Sequence, residues 1–148
     1  MATQSIEFLR RVPLFEDLDD HTLTEIANAA VEQSWAPGQE ILRQGDTGVG
    51  MFIVRSGKVE IVQERGGQAE KIRDLGPGNV FGEMALLDEF PRSATVRAVE
   101  PTTCLAITRW HFRGILESHP QIALALLPVL TKRLRAAEAH AHEDTATH

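Results

Sequence analysis

The chain has 148 residues, of which 43% are hydrophobic and 24% are charged, and its formal net charge is −6 at pH 7. This balance is typical of one soluble domain with a single hydrophobic core. A net negative charge argues against a nucleic-acid surface, which needs a concentrated basic face. The N-terminus lacks the apolar core of an export signal, and no window approaches the ~18 apolar residues of a membrane helix, so we expect a cytoplasmic protein without membrane contact.

The N-terminal segment is predicted to be helical. Over residues 4–31 most apolar residues recur at spacings of three or four, which is the period of an amphipathic helix. Pro13 and the acidic stretch 16–20 interrupt this pattern. Two short helices joined by a turn are therefore expected.

The middle of the chain is predicted to form strands. Between residues 34 and 108 the apolar period changes to two, and glycine-rich turn signals recur at roughly ten-residue intervals. Short strands at this interval indicate a sandwich or jelly roll. The clearest pair is 51–55 and 58–62, which Ser56-Gly57 is expected to join as a tight hairpin. The single cysteine, Cys104, lies in a later alternating stretch and is expected to pack as a small hydrophobe.

Helical periodicity returns at the C-terminal end, in residues 109–118 and 121–138. Pro128 lies inside the second segment and removes the bond that its N–H would donate to the carbonyl of Leu124, so a kink or a helix boundary is expected nearby. The basic cluster within 132–135 is interpreted as a solvated helix face, because acidic residues follow it.

The predicted fold class is α+β, a β-roll (a jelly-roll-like antiparallel barrel) flanked by N-terminal helices and two C-terminal helices. One domain is expected over residues 1–139, with a polar flexible tail at 140–148. Within the domain, the helices occupy 4–31, the β-roll 32–108 and the C-terminal helices 109–139.

Residues 78–96 do not alternate as a strand should. The stretch 83–87 contains good helix formers with room for little more than one turn, and Gly82 before it lets a ligand approach the backbone closely. A single helical turn between strands exposes N–H groups that can bind an anion. Arg92 follows behind Pro91, and its planar guanidinium suits bidentate phosphate recognition.

The same stretch resembles a family motif. Residues 81–87 read FGEMALL and residues 91–96 read PRSATV, which is similar to the phosphate-binding cassette of the cyclic-nucleotide-binding domain family. That family includes bacterial catabolite-activator-type regulators, kinase regulatory subunits and gated channels. Gly45-Asp46, residues 52–54 with Gly57, and residues 59–61 stand where the family has its β-roll glycines and strands.

The resemblance implies a ligand site. Glu83 would accept a hydrogen bond from the ribose 2′-hydroxyl, and Arg92 would pair with the cyclic phosphate. Backbone N–H groups of Gly82 and the following turn would hold phosphate oxygens, and Ser93 would add a hydroxyl near the phosphate or the purine. The full set of predicted ligand-binding residues is Phe81, Gly82, Glu83, Met84, Ala85, Arg92 and Ser93, with Ile61, Ile72 and Leu75 as an apolar wall beside the purine.

The resemblance also implies a binding role without catalysis. The favoured ligand is cyclic AMP, with cyclic GMP as the alternative, and no cofactor is expected. Several family members close the site with a polar residue of the last helix, but this chain has Ala136 and Ala137 where one would look, so base selectivity stays open. The chain ends at His148, without room for the helix-turn-helix domain of the family's transcription factors, so no DNA contact is expected.

The partner that reads the ligand state is predicted to be an unknown effector protein, with a homodimer through the C-terminal helix as a second candidate. The signal would leave through that helix, whose apolar stripe is predicted to pack on the β-roll or to swing away from it about Pro128. The predicted stripe consists of Leu126, Leu127, Leu130 and Leu134.

Two other interpretations compete with a cyclic-nucleotide receptor. A scaffold domain could keep the fold without responding to nucleotide, although intact Gly82, Glu83 and Arg92 favour a receptor. A metal-dependent jelly-roll enzyme would need histidines that converge from the strands. The six histidines all lie outside 34–108, so neither a metal site nor an enzyme is expected. These histidines are His21, His111, His119 and, in the polar tail, His140, His142 and His148.

Overall fold

A computed structural model describes residues 2–48, 50–86, 92 and 94–146, excluding the side chains of residues 2–5, 84 and 140–146. The helices are α1 (Ala2–Arg10), α2 (Asp20–Ala29), α3 (Arg109–Ser118) and α4 (Gln121–Ala146), with 3-10 turns at Pro13–Phe15 and Glu83–Leu86. The strands are β1 (Val31–Trp35), β2 (Glu40–Leu42), β3 (Gly50–Ser56), β4 (Val59–Arg65), β5 (Gln68–Leu75), β6 (Val80–Phe81), β7 (Thr95–Ala98) and β8 (Thr102–Thr108).

The eight strands form two four-stranded sheets, in the orders β1-β8-β3-β6 and β2-β7-β4-β5, and the paired strands are antiparallel. Helices flank this pair of sheets at both ends of the sequence. The predicted β-roll with N-terminal and C-terminal helices is thus confirmed. The roll is open, because hydrogen bonds pair the strands within two separate sheets and do not close them into one barrel.

The predicted hairpin at Ser56-Gly57 is wrong. β3 pairs with β6 and β8, whereas β4 pairs with β5 and β7, so this turn carries the chain from one sheet to the other. Gly57 has φ +93°, and a Cβ there would lie 2.3 Å from the carbonyl oxygen of Pro101. A left-handed glycine suits a corner between sheets as well as a hairpin, and the local sequence does not distinguish the two. The hairpin in this region joins β4 to β5 through Gly66-Gly67.

The hydrophobic interior has two parts, which lie on opposite faces of the β1-β8-β3-β6 sheet. The helical core joins the helices to this sheet, and the sheet core lies between the two sheets. The helical core is Leu9, Val12, Leu14, Phe15, Leu18, Leu23, Ile26, Met51, Ile53, Leu86, Leu105, Ile107, Phe112, Ile122, Leu126 and Val129. The sheet core is Val54, Val59, Leu75, Phe81, Val96 and Cys104.

Cys104 belongs to the sheet core, and its exposed fraction is 0%. Burial raises the pKa of its thiol to about 12, so the side chain stays protonated at ordinary pH. The prediction that Cys104 packs as a small hydrophobe is confirmed.

Two of the helices begin at side chains that cap them. The Asp19 carboxylate accepts a hydrogen bond from the backbone N–H of Thr22 at 2.8 Å, which starts α2 and lowers the pKa of that carboxyl. Thr108 ends β8, and its hydroxyl accepts the N–H of His111 at 3.2 Å to start α3. In these two helices, a polar residue that precedes the apolar helical period thus fixes where the helix begins.

Helix α4 continues past both points where an end was expected. It runs through Pro128 without a boundary, so the kink stays a prediction, and its backbone is helical up to Ala146, beyond residue 139 where we expected a polar tail. Residues 136–143 are rich in alanine and glutamate, which are among the best helix formers, and this propensity outweighs their polarity.

The apolar stripe predicted on α4 is also wrong, because its leucines do not share one environment. Leu126 is buried and Leu130 half-buried, whereas Leu127 and Leu134 are 56% and 60% exposed. Successive residues of a helix lie about 100° apart around its axis, which turns Leu127 away from the face that carries Leu126. The packed face carries Ile122, Leu126 and Val129.

Candidate ligand-binding site

The guanidinium of Arg92 lies against the backbone of two other segments. Its Nη1 donates to the carbonyl of Gly82 at 3.1 Å, and its Nη2 donates to the carbonyl of Gly50 at 2.6 Å. The backbone of Arg92 is also held, because its N–H donates to Asp46 and its carbonyl accepts the N–H of Gly45. The side chain is therefore fixed between the loop after β2, the start of β3 and the end of β6.

Glycines make room for this guanidinium. A Cβ on Gly48 would lie 2.2 Å from the guanidinium carbon of Arg92, and a Cβ on Gly82 would lie 2.6 Å from its Nη1. Gly82 also has φ +76°, which side-chain-bearing residues rarely adopt. Sequence reasoning identified Gly82 but missed Gly48 and Gly50, although three glycines within 45–50 were a visible signal of close backbone approach.

The 3-10 turn Glu83–Leu86, called here the cassette turn, confirms the predicted single helical turn. The N–H of Ala85 donates to the carbonyl of Gly82 at 3.1 Å, which closes the turn. The N–H groups of Glu83 and Met84 precede this first internal bond, as the leading donors of any helix do. Leu86 is 2% exposed and belongs to the helical core, so the turn is anchored at its far end.

Glu83 lies beside a cation from helix α4. Its Oε1 is 3.6 Å from Nη1 of Arg133, and the side chains of Glu83 and Arg133 are 24% and 31% exposed. Lys132 and Arg135 are exposed, as expected of a solvated face, but the interpretation was wrong for Arg133. Helix spacing explains the difference, because Arg133 follows Val129 by one turn and extends the packed face.

Phe81 and the three residues of the predicted apolar wall have different environments. Phe81 and Leu75 are 4% and 8% exposed and belong to the sheet core, where Phe81 stacks on Phe52 with ring centroids 5.2 Å apart. Ile61 packs partly buried against that core. Ile72 is exposed at a shift in the β4–β5 register, where Ile61 faces Arg73 and Val62 faces Lys71. Irregularities of this kind re-aim side chains next to binding sites.

The structure thus brings Arg92, Gly82 and the cassette turn together. Ser93 and the side chain of Met84 lie outside the described residues. Ala136 and Ala137, where a polar lid was sought, are exposed. Within the described part of the chain no cluster of three or more His, Cys, Asp and Glu side chains could hold a metal ion.

The sequence of this region matches a known family. Residues 32–119 match the family model described as the cyclic nucleotide-binding domain. The chain belongs to the cyclic nucleotide-binding domain family. The resemblance inferred from residues 81–96 is confirmed, and the match covers the β-roll and α3.

Two relatives match over most of this chain. The chain is 38% identical over 127 residues to the cyclic AMP receptor protein of Thermus thermophilus, covering 85% of this chain and 59% of the relative. It is 36% identical over 110 residues to the cAMP-dependent protein kinase regulatory subunit of Blastocladiella emersonii, covering 74% of this chain and 27% of the relative. The chain thus spans only part of either protein.

A solved structure superposes over most of the chain. The N-terminal domain of a transcriptional regulator from Streptomyces coelicolor A3(2) superposes with a TM-score of 0.83 at 32% identity, covering 90% of this chain and 93% of that one. Domains of this family bind ligands and regulate other functions, rather than catalysing reactions. Over the described residues, no helix is both long enough and apolar enough to cross a membrane.

Proposed function

We propose that this chain is a cytoplasmic cyclic AMP receptor that binds the cyclic phosphate through Arg92 and the ribose through Glu83. The observation that carries the proposal is the guanidinium of Arg92, held on the carbonyls of Gly82 and Gly50 beside the cassette turn. A phosphate oxyanion is a stronger partner for a guanidinium than a neutral carbonyl, so a cyclic phosphate can draw these N–H donors to itself.

Backbone donors support the same site. The N–H groups of Glu83 and Met84 begin the cassette turn directly after Gly82, whose carbonyl accepts from Arg92. An anion held there would meet backbone N–H groups and a guanidinium together, an arrangement that suits phosphate. Glu83 is the first residue of the same turn, so under this proposal its carboxylate would accept a hydrogen bond from a ribose hydroxyl.

The proposal predicts a ranking of ligands. Cyclic AMP should bind more tightly than linear AMP, because the cyclic ester carries one negative charge and the linear phosphate brings a second toward Glu83. Cyclic GMP should bind within ~30-fold of cyclic AMP, about 2 kcal/mol, because an apolar wall discriminates poorly between purines of similar size. Isothermal titration of the whole chain with the three nucleotides measures this ranking.

Two results of that titration would contradict the proposal. Cyclic GMP binding more than ~30-fold tighter than cyclic AMP would show that the pocket reads the base. No heat with either cyclic nucleotide, from a folded protein, would favour the scaffold interpretation instead.

We further propose that the ligand state leaves the site through α4 toward an effector protein or a second copy of the chain. Leu86 ends the cassette turn and packs in the same helical core as Leu126 and Val129 of α4, so a shift of the turn reaches that helix. Leu124, Leu127 and Leu134 are exposed on α4, 56% to 70%, and offer an apolar surface to such a partner.

Hydrogen exchange with and without cyclic AMP tests this relay. Protection should rise in the cassette, 82–93, and also in 129–139, because a ligand that favours one position of α4 must protect it. The β4–β5 hairpin around Gly66-Gly67 is the internal control and should exchange alike in both states. If 129–139 also exchanges alike, α4 does not carry the signal.

A further inference from the structure

One ion pair crosses from the cassette turn to the C-terminal helix. The Oε1 of Glu83 lies 3.6 Å from Nη1 of Arg133, and less than a third of either side chain is exposed. A pair partly shielded from water is screened less by salt than one on an open surface. The ion pair with Arg133 therefore links the Glu83 side chain to α4.

The position of Arg133 on α4 is set by packing. Leu126 and Val129 are 3% and 4% exposed in the helical core, and Arg133 follows Val129 at the i+4 position of the same face. Leu86, at the other end of the cassette turn, belongs to that core. The turn is thus tied to the helices at both ends, by Leu86 through apolar contact and by Glu83 through charge.

We propose that Arg133 is a positioning residue of the binding site, which orients the Glu83 carboxylate toward the ribose 2′-hydroxyl. This inference rests on the proposed function and names a residue that completes its site. A carboxylate has two oxygens with about four acceptor positions, so Glu83 can face Arg133 through Oε1 and still accept from a hydroxyl. Arg133 acts through Glu83 and does not itself bind the nucleotide.

The charges of the site support the same role. Alone, the Glu83 carboxylate would repel a phosphate bound at the neighbouring Arg92. Arg133 offsets this repulsion, and the formal charges of the three side chains then leave one net positive charge, opposite in sign to a cyclic phosphate. Coupling between two sites is reciprocal. If Arg133 favours ligand binding through Glu83, a bound ligand must equally favour the position of α4 in which Arg133 pairs with Glu83.

The test compares cyclic AMP with 2′-deoxy cyclic AMP, which lacks the hydroxyl that Glu83 would bind. A hydrogen bond to a charged group corresponds to roughly 10- to 150-fold in affinity, so the wild-type protein should prefer cyclic AMP by at least ~10-fold. In Arg133→Met this preference should fall to within ~3-fold, because Glu83 is no longer oriented. Arg133→Lys should retain part of it, since a point charge can still form the ion pair.

Matched variants separate positioning from other effects. Arg135→Met removes the same charge from an exposed site on the same helix and should leave the preference unchanged. Glu83→Gln should lose the preference, and the double variant with Arg133→Met should lose no more, because the two residues act as one unit. Thermal unfolding of each variant checks that the fold is kept.

The outcomes are distinguishable. If the wild-type protein binds neither nucleotide, the proposed function fails and this inference fails with it. If the wild type prefers cyclic AMP but Arg133→Met weakens both ligands equally, only the positioning role is overturned, because Arg133 then contributes charge to the phosphate site without orienting Glu83.

Discussion

Replacing Arg92 with alanine is expected to weaken cyclic AMP binding by roughly 10- to 150-fold, or ~1.5–3 kcal/mol, the range for a hydrogen bond to a charged group. The guanidinium is the cation fixed over the cassette turn by the carbonyls of Gly82 and Gly50. Removing it leaves backbone donors to hold the phosphate without a balancing charge. Isothermal titration of wild type and variant measures the loss.

Two further variants show whether the loss reflects recognition. Arg92→Lys should not restore full affinity, because a point charge cannot reach the two carbonyls and the phosphate with a planar array of donors. Arg43 follows β2, is exposed and pairs with Glu40. Arg43→Ala removes this cation and should leave the affinity for cyclic AMP unchanged. Unchanged affinity in Arg92→Ala would overturn the assignment of the site.

Replacing Phe112 with alanine is expected to lower the free energy of unfolding by ~3–5 kcal/mol, the range for removing a buried aromatic ring. Phe112 is 0% exposed in the helical core, and its ring lies 5.9 Å from that of Phe15, centroid to centroid. Its loss would leave a cavity where α3 meets the N-terminal 3-10 turn. Urea unfolding followed by circular dichroism measures the change.

Trp110 provides the matched control for Phe112. It is an aromatic residue of the same helix but is 61% exposed, so Trp110→Ala should change the free energy of unfolding by only ~0.5 kcal/mol. Equal losses in the two variants would contradict the view that the helical core holds α3 in place.

Periodicity and short motifs predicted much of the molecule. α3 spans Arg109–Ser118 as expected, because its apolar period is regular and Thr108 marks its start. The cassette turn was predictable because a glycine and a short run of helix formers interrupt strand alternation. These features depend on residues close together in sequence, where steric and propensity effects are strongest.

Features that depend on distant residues were not predictable in the same way. Ser56-Gly57 looks like a hairpin, but whether β3 and β4 pair or lie in different sheets is decided by β6, β7 and β8. Arg133 looked like part of a solvated face, because nothing near it in sequence reveals that Glu83 lies 3.6 Å away. The contacts that complete the site form only when the chain folds.

The β1-β8-β3-β6 sheet separates two cores, and this has an evolutionary consequence. Along β3, Met51 and Ile53 face the helices, whereas Val54 faces the other sheet. Along β8, Leu105 faces the helices and Cys104 faces the other sheet. Adjacent positions of one strand therefore pack against different neighbours, and their amino acids can change independently in evolution. Substitutions at the positions that face the helices could therefore accumulate while the intervening positions, which pack between the sheets, stay unchanged.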